Sequence, residues 1–151
     1  MEHFKNKAES FYREIRSIEI YKASDVSYIN NFNSVFPDPA IALYKFEIVP
    51  ESYSQKTPTK TQTGNYFNEV DLSFPLLDLS TETIEKCQEY FNKKDFAVVL
   101  NSNVERMLLG NDREKLKVEF IDGKKNDNSG NDECTIAISG ETIISPKTKN
   151  L

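Results

Sequence analysis

The sequence has one histidine, two cysteines and no tryptophan among its 151 residues. Because the single histidine, His3, lies at a terminal position prone to fraying, a Ser-His-Asp triad, a Cys-His pair or a multi-histidine metal site would need unusual substitutes. Glycine-rich phosphate-binding motifs and the G-x-S-x-G motif are also missing. These gaps predict a protein that is not an enzyme and that holds no cofactor.

Long apolar runs are missing as well. The run at residues 96–100 is typical of the longest, whereas a membrane-spanning helix needs roughly 20 apolar residues. The first residues lack the apolar stretch of a secretory signal. The 19 basic and 24 acidic residues are scattered and sum to a net charge of −5, which disfavours a surface that grips nucleic acid. We expect no membrane span and no specific binding of DNA.

The two cysteines, Cys87 and Cys134, have 46 residues between them and occupy apolar positions of different elements. Cysteine at such positions commonly behaves as a small buried hydrophobic residue, which is the interpretation we favour. A redox pair or a disulfide is the alternative, and a spacing without C-x-x-C supports it weakly.

An oxygen-rich segment at residues 122–133 raises the question of calcium binding. With Gly130 at position 6 of an EF-hand loop, Lys125 and Ile136 would occupy positions 1 and 12, where carboxylates are required. An alignment on Gly123 fails in the same way. The composition favours a solvated turn, with an irregular cation site as the alternative.

The length suits one domain with three parts. Residues 1–16 form the first part, predicted as an amphipathic helix that packs on its own sheet or attaches to a neighbouring subunit. Residues 17–145 form a β-rich domain, and residues 146–151 form a flexible polar tail. The helix is predicted from an apolar stripe of Phe4, Ala8, Phe11, Tyr12 and Ile15.

Alternating polar and apolar residues predict about seven strands. Because these strands follow one another mainly through turns, the expected fold class is α+β, mainly antiparallel β, as a β-sandwich or barrel with an N-terminal helix and one inserted helix. The inserted helix is predicted at residues 80–94, with Ser80 as its N-cap. The strands are predicted at residues 18–21, 40–49, 69–74, 96–100, 104–109, 116–120 and 134–138.

Residues 52–65 contain no aliphatic side chain, and threonines alternate with other residues from 57 to 63. A segment of this length without apolar anchors is usually functional or disordered, so it is either an arm that assembly orders or a plain loop. Together with the N-terminal stripe it provides the predicted subunit interface, namely Phe4, Phe11, Tyr12, Lys56, Thr57, Thr59, Lys60, Thr61 and Thr63.

The order of segments 65–75, 96–100, 107–110 and 134–141, with a short helix after the first, resembles small virion proteins of tailed bacteriophages and prophages. The resemblance spans roughly residues 40–145 and is to tail-tube, tail-terminator and baseplate-hub subunits. It implies a phage tail-tube-like fold and no catalytic residue. It also implies a structural protein of the virion tail that is made in the host bacterial cytoplasm. The tail component and its ring symmetry stay open.

The resemblance implies rings formed with copies of the chain through sheet edges, the arm 52–65 and the helix, alongside other virion tail proteins. DNA would pass only as cargo, with acidic residues such as Glu69 and Asp71 facing the pore. The alternative is a monomeric binding or regulatory β-domain that recognises a peptide or carbohydrate on a sheet face bearing Tyr44 and Tyr66.

Overall fold

The computed structural model describes residues 15–29, 33–48, 54–56, 59–62, 65–77, 79–123, 133–142 and 147–150. Within these ranges the chain forms one α-helix, α1 (Thr81–Tyr90), and twelve β-strands. The strands are β1 (Ile15–Lys22), β2 (Tyr28–Ile29), β3 (Asn33–Ser34), β4 (Tyr44–Glu47), β5 (Ser54–Lys56), β6 (Thr59–Gln62), β7 (Asn65–Pro75), β8 (Lys93–Ser102), β9 (Glu105–Leu109), β10 (Leu116–Gly123), β11 (Glu133–Thr142) and β12 (Lys147–Asn150).

Ten of these strands form one open antiparallel sheet, and β2 and β3 form a separate hairpin. The main path through the sheet follows seven strands, in the order β12-β9-β8-β10-β11-β7-β5. Strand β1 pairs with β8, β4 pairs with β1, and β6 pairs with β7 beside β5. The predicted mainly antiparallel β architecture is therefore confirmed. Closure into a sandwich or barrel is not confirmed, since β4 pairs with β1 alone among the described strands.

Strand β8 is the branch point of the sheet. One of its edges pairs with β1 through residues 96–102, and the opposite edge pairs with β9 through residues 98–101 and with β10 through residues 93–96. Because β9 and β10 share one edge, the sheet divides there into two wings. One wing contains β4, β1, β8, β9 and β12, and the other contains β10, β11, β7, β5 and β6. The near-continuous apolar sequence of β8 suits this position, because both of its faces are covered.

The two wings fold towards each other around one apolar core. Ile18 of β1 and Val98 of β8 belong to the same buried cluster as Leu72 of β7 and Ile138 of β11. Cys87 and Cys134 are also buried in this cluster and form no disulfide, as the sequence predicted. Gly140 of β11 leaves room for the Leu116 side chain of β10, because a β-carbon at position 140 would lie 2.7 Å from the Cδ2 atom of Leu116, which would have to move.

A second, smaller cluster covers the opposite face of β1 and β8. The segment between β1 and β4 folds over this face, where Phe36 packs against the cluster. Asp38 helps to turn this segment, because its side chain accepts a hydrogen bond of 3.0 Å from the Ala40 amide. The alternation of Ile18 and Ile20 with Glu19 and Tyr21 is typical of a half-buried strand, and this interpretation is wrong, because β1 is buried on both faces. The cluster consists of Tyr21, Val26, Ala97, Val99 and Leu108.

Helix α1 begins where the sequence predicted. The Ser80 side chain caps it by accepting a hydrogen bond from the Thr83 amide. The helix ends at Tyr90, earlier than predicted, because Asn92 adopts a left-handed conformation with φ of 71°. Its amide donates to Val118 and its side chain accepts from Phe120, which ties the turn to β10. Lys93 and Lys94 therefore begin β8 instead of ending the helix.

Three predicted boundaries also differ. The last two residues of the helix predicted at 1–16 lie in β1, with Ile15 opposite Ser102, and residues 1–14 lie outside the described residues. The described parts of 52–65 form β5 and β6 along β7. Residues 147–150, predicted as a flexible tail, form β12 beside β9. Main-chain hydrogen bonds alone can hold an edge strand in a sheet. Such a strand needs no alternation of apolar residues, so the sequence pattern does not indicate it.

Candidate functional site: the groove beside strand β4

A groove of about 440 Å³ lies between β4, the end of β7 and helix α1. One wall is the whole of β4, Tyr44–Glu47, and the other is formed by Pro75–Leu77 with Thr83, Lys86 and Cys87. Strand β4 is about 30 residues away in the sequence from the other two segments, and the folding of the sheet brings them together. The groove therefore belongs to the tertiary structure of the sheet and not to a local motif.

Aromatic rings join β4 to the rest of the core beneath the groove. The ring centroid of Tyr44 lies 5.4 Å from Phe91 and 6.1 Å from Phe46. The ring of Phe46 in turn lies 5.4 Å from Phe74 of β7. Edge and tilted ring contacts at these distances are favourable. They hold the two walls in place although β4 and β7 share no described strand pairing.

Two polar side chains of the groove, those of Tyr44 and Lys86, have raised pKa values. Burial raises the pKa of the Tyr44 phenol, with a smaller effect from the neighbouring Cys87 thiol, so the phenol stays neutral. Lys86 donates a hydrogen bond of 3.0 Å to Glu82, which raises the pKa of the lysine and keeps it positive. The groove thus offers a neutral aromatic floor with charged side chains at its rim.

The outer edge of β4 lies at this groove, and it is open in the sense that no described strand other than β1 pairs with β4. The Ile48 amide donates to the Arg16 carbonyl at 2.9 Å, so residues 46 and 44, which alternate with it, also direct their main-chain groups towards β1. The main-chain N–H and C=O groups of Lys45 and Glu47 therefore point away from β1, and both side chains are exposed. These groups can bind another extended chain.

Exposed apolar side chains surround the same place. Leu77 lines the groove and is 62% exposed, and Tyr90, whose ring lies 6.3 Å from that of Tyr44, is 44% exposed. Single exposed apolar residues are ordinary, but a group of them beside an open strand edge is typical of an interaction surface.

The predicted interface residues lie elsewhere or outside the described structure. Phe4, Phe11, Tyr12, Thr57 and Thr63 lie outside the described residues. The structure brings the other four, Lys56, Thr59, Lys60 and Thr61, together on β5 and β6, where each pairs with a residue of β7. The described part of the arm is thus bound to its own sheet, and its role between subunits stays a prediction.

The other predicted surfaces can be placed in part. Tyr44 lies in the groove, whereas Tyr66 lies on β7 and pairs with Thr61 of β6. Asp71 is exposed and Glu69 partly exposed on one face of β7, so solvent reaches both, but whether they face a pore stays a prediction. The segment 122–133 proposed for a cation lies mostly outside the described residues.

Sequence reasoning missed the groove and a buried polar network. Arg106 of β9 binds Glu19 of β1 with a contact of 2.9 Å, and also donates to Asn101 at 3.0 Å. Asn101 donates to Ser17 at 3.2 Å. Burial, with a smaller effect of the nearby Glu19 carboxylate, raises the pKa of Tyr21 to about 12. In β1 polar residues alternate with apolar ones, a pattern that predicts one face exposed to solvent. No local feature of the sequence therefore indicated that Glu19 is buried.

Within the described ranges, no group of three or more histidine, cysteine or acidic side chains is arranged to hold a metal ion. Over the same part of the chain, no helix has the length and apolar character to cross a membrane. Comparisons with protein-family models, curated proteins and solved structures found no significant match to this chain.

Proposed function

We propose that this protein is a structural subunit that assembles with copies of itself. The observation that carries the proposal is the edge of β4 that no described strand pairs with, beside an exposed apolar groove. The resemblance described above suggests the setting, a tube, connector or baseplate of a bacteriophage tail. In that setting the subunits would form rings with other tail proteins in the virion, and DNA would pass through as cargo.

The contrast between two edges of the sheet supports the proposal. Strand β12 has the sequence Lys-Thr-Lys-Asn, and lysine on an edge strand opposes pairing with another chain. Strand β4 has the sequence Tyr-Lys-Phe-Glu and places aromatic side chains on one face and both charge signs on the other. An edge with this composition favours association, because an added strand gains main-chain hydrogen bonds and covers apolar surface.

The experiment is sedimentation velocity on the full chain over a concentration series, combined with electron microscopy of negatively stained samples. Leu77→Asp places a charge in the groove and should shift the protein towards the monomer by roughly ten-fold or more in concentration. Ile121→Asp is the matched control, because Ile121 is also an exposed apolar residue, at 47%, but lies on β10 and not among the groove residues. A wild-type monomer at every concentration would contradict the proposal.

A second candidate function follows from the same groove. A neutral aromatic floor beside an open strand edge also suits an extended peptide with alternating apolar residues. In that case the wild-type chain would be monomeric and would bind such peptides from an array, and Leu77→Asp would abolish binding while Ile121→Asp would not. The two candidates therefore differ in the wild-type sedimentation result.

A further inference from the structure

We infer that two copies of the chain join through their β4 strands, antiparallel and about a two-fold axis at Phe46, so that Lys45 of each copy lies opposite Glu47 of the other. This inference rests on the proposed function, because it specifies the contact through which the subunits associate. It identifies the occupant of the β4 edge as a second copy of this chain.

The main-chain hydrogen bonds limit the possible registers. Lys45 and Glu47 direct their N–H and C=O groups to the open edge, whereas Phe46 directs its groups to Ile18 of β1. In an antiparallel pair, residues that exchange hydrogen bonds must both face the shared edge. Two copies of β4 can therefore pair only if an odd-numbered residue lies opposite an odd-numbered residue. The two-fold axis must then pass through residue 45, 46 or 47.

Charge selects one of these three registers. An axis at Lys45 places lysine opposite lysine, and an axis at Glu47 places glutamate opposite glutamate. An axis at Phe46 places Lys45 opposite Glu47 twice, once on each side of the axis. Directly opposed like charges destabilise a strand pair and opposite charges stabilise it. Both side chains are exposed in the single chain, so they are available for this pairing.

The apolar face agrees with the same register. The burial of β4 alternates, with Tyr44 and Phe46 partly buried on the inner face. With the axis at Phe46, the two Phe46 side chains are directly opposed in a pair that exchanges no hydrogen bonds, the type with the closest side chains. Tyr44 lies opposite Ile48. Aromatic pairs at such positions stabilise antiparallel strands, and here they extend the aromatic floor of each groove.

Self-complementarity argues for a second copy over an unrelated peptide. When β4 is turned about this axis, its lysine lies opposite the glutamate of the second copy and its apolar residues lie opposite apolar residues. A strand of four residues is thus complementary to itself. A contact of four residues on each side is small compared with a stable interface. We therefore expect weak association of single subunits, which other contacts of an assembly would reinforce through high local concentration.

The test uses Lys45→Glu, Glu47→Lys, the exchanged double variant that carries both changes, and Lys94→Glu as the control for an exposed lysine elsewhere. Each single variant should weaken self-association by about ten-fold, since it turns two attractive pairs into repulsive ones. The double variant should return to within about two-fold of wild type. Lys94→Glu should associate like wild type. Sedimentation equilibrium measures the constants, and thermal unfolding confirms that each variant is folded.

A mixing experiment sharpens the test. A mixture of equal amounts of the two single variants should associate more strongly than either alone, because every opposed pair then joins a lysine to a glutamate. If wild type associates but the single variants associate equally well and mixing adds nothing, the β4 register is wrong while the proposed function stands. If wild type is monomeric throughout, both proposals fail.

Discussion

Strands β1 and β4 are hydrogen-bonded neighbours with similar alternating sequences, yet they have opposite environments. On β1 even the polar residue Glu19 is buried, and Val26 and Phe36 from the segment between β1 and β4 pack on the outer face of the strand. On β4 the corresponding positions Lys45 and Glu47 are exposed, and the outer edge is open. Burial of a strand thus depends on what covers each of its faces. We expect substitutions on β1 to change mainly the stability of the chain, and substitutions on β4 to change mainly its association.

The largest expected effect concerns the covered side. Arg106→Ala removes the partner of the buried Glu19 carboxylate and should lower the free energy of unfolding by about 3–5 kcal/mol. Urea denaturation measures this loss. The double variant Glu19→Leu with Arg106→Met leaves no buried charge and should recover most of the stability. A loss below about 1 kcal/mol for Arg106→Ala would show that β1 is as accessible to water as β4.

The next effect depends on pH. Because the pKa of Tyr21 is raised from 10.0 to about 12 in the folded chain, the folded state holds its phenolic proton more tightly than the unfolded state. The contribution of this proton to the free energy of unfolding is fully present below pH 10 and is lost as the pH rises towards 12. At pH 12 the free energy of unfolding should have fallen by about 2 kcal/mol. Denaturation at a series of alkaline pH values measures the slope. Tyr21→Phe should remove this component, and an unchanged slope would contradict a covered β1.

A smaller effect is expected on the wall of the groove. Ser80→Ala removes the N-cap of α1 and should cost about 1 kcal/mol. Thr81→Ala, at the exposed first position of the helix, is the matched control and should change stability much less. If the two substitutions lower the free energy of unfolding equally, the capping hydrogen bond of Ser80 does not stabilise helix α1.

The smallest effect should occur at the open groove itself. Leu77→Ser should change the free energy of unfolding of the monomer by less than about 0.5 kcal/mol, because 62% of Leu77 is already exposed. Denaturation at low protein concentration provides the measurement. A loss of several kcal/mol would mean that the groove is covered within a single chain, and the contrast between β1 and β4 would disappear.

Local patterns in the sequence predicted much of the β-structure. Val118 and Phe120 alternate as Ile136 and Ile138 do, and in the structure Val118 lies opposite Ile138 and Phe120 opposite Ile136. The strands predicted at residues 96–100 and 104–109 form the hairpin of β8 and β9, with the turn between Ser102 and Glu105. These successes share a cause, because hairpin partners are close in sequence and their apolar faces must coincide.

The candidate site escaped prediction for a related reason. Its walls come from residues 44–47, 75–77 and 83–87, and alternation within each segment reports only which side chains face a core. It does not report which segments meet across that core. The salt bridge between Glu19 and Arg106 was missed similarly, because it joins residues 87 positions apart.

By itself the sequence determined the mainly antiparallel strands, the start of α1 at its Ser80 cap and the burial of both cysteines, because side-chain alternation, capping and hydrophobicity act over a few residues. The tertiary structure decided that β8 branches, that β1 is covered on both faces and that β4 keeps an open edge beside a groove. These features depend on contacts between distant segments, whose free energy is gained only when the two wings of the sheet fold around a shared core.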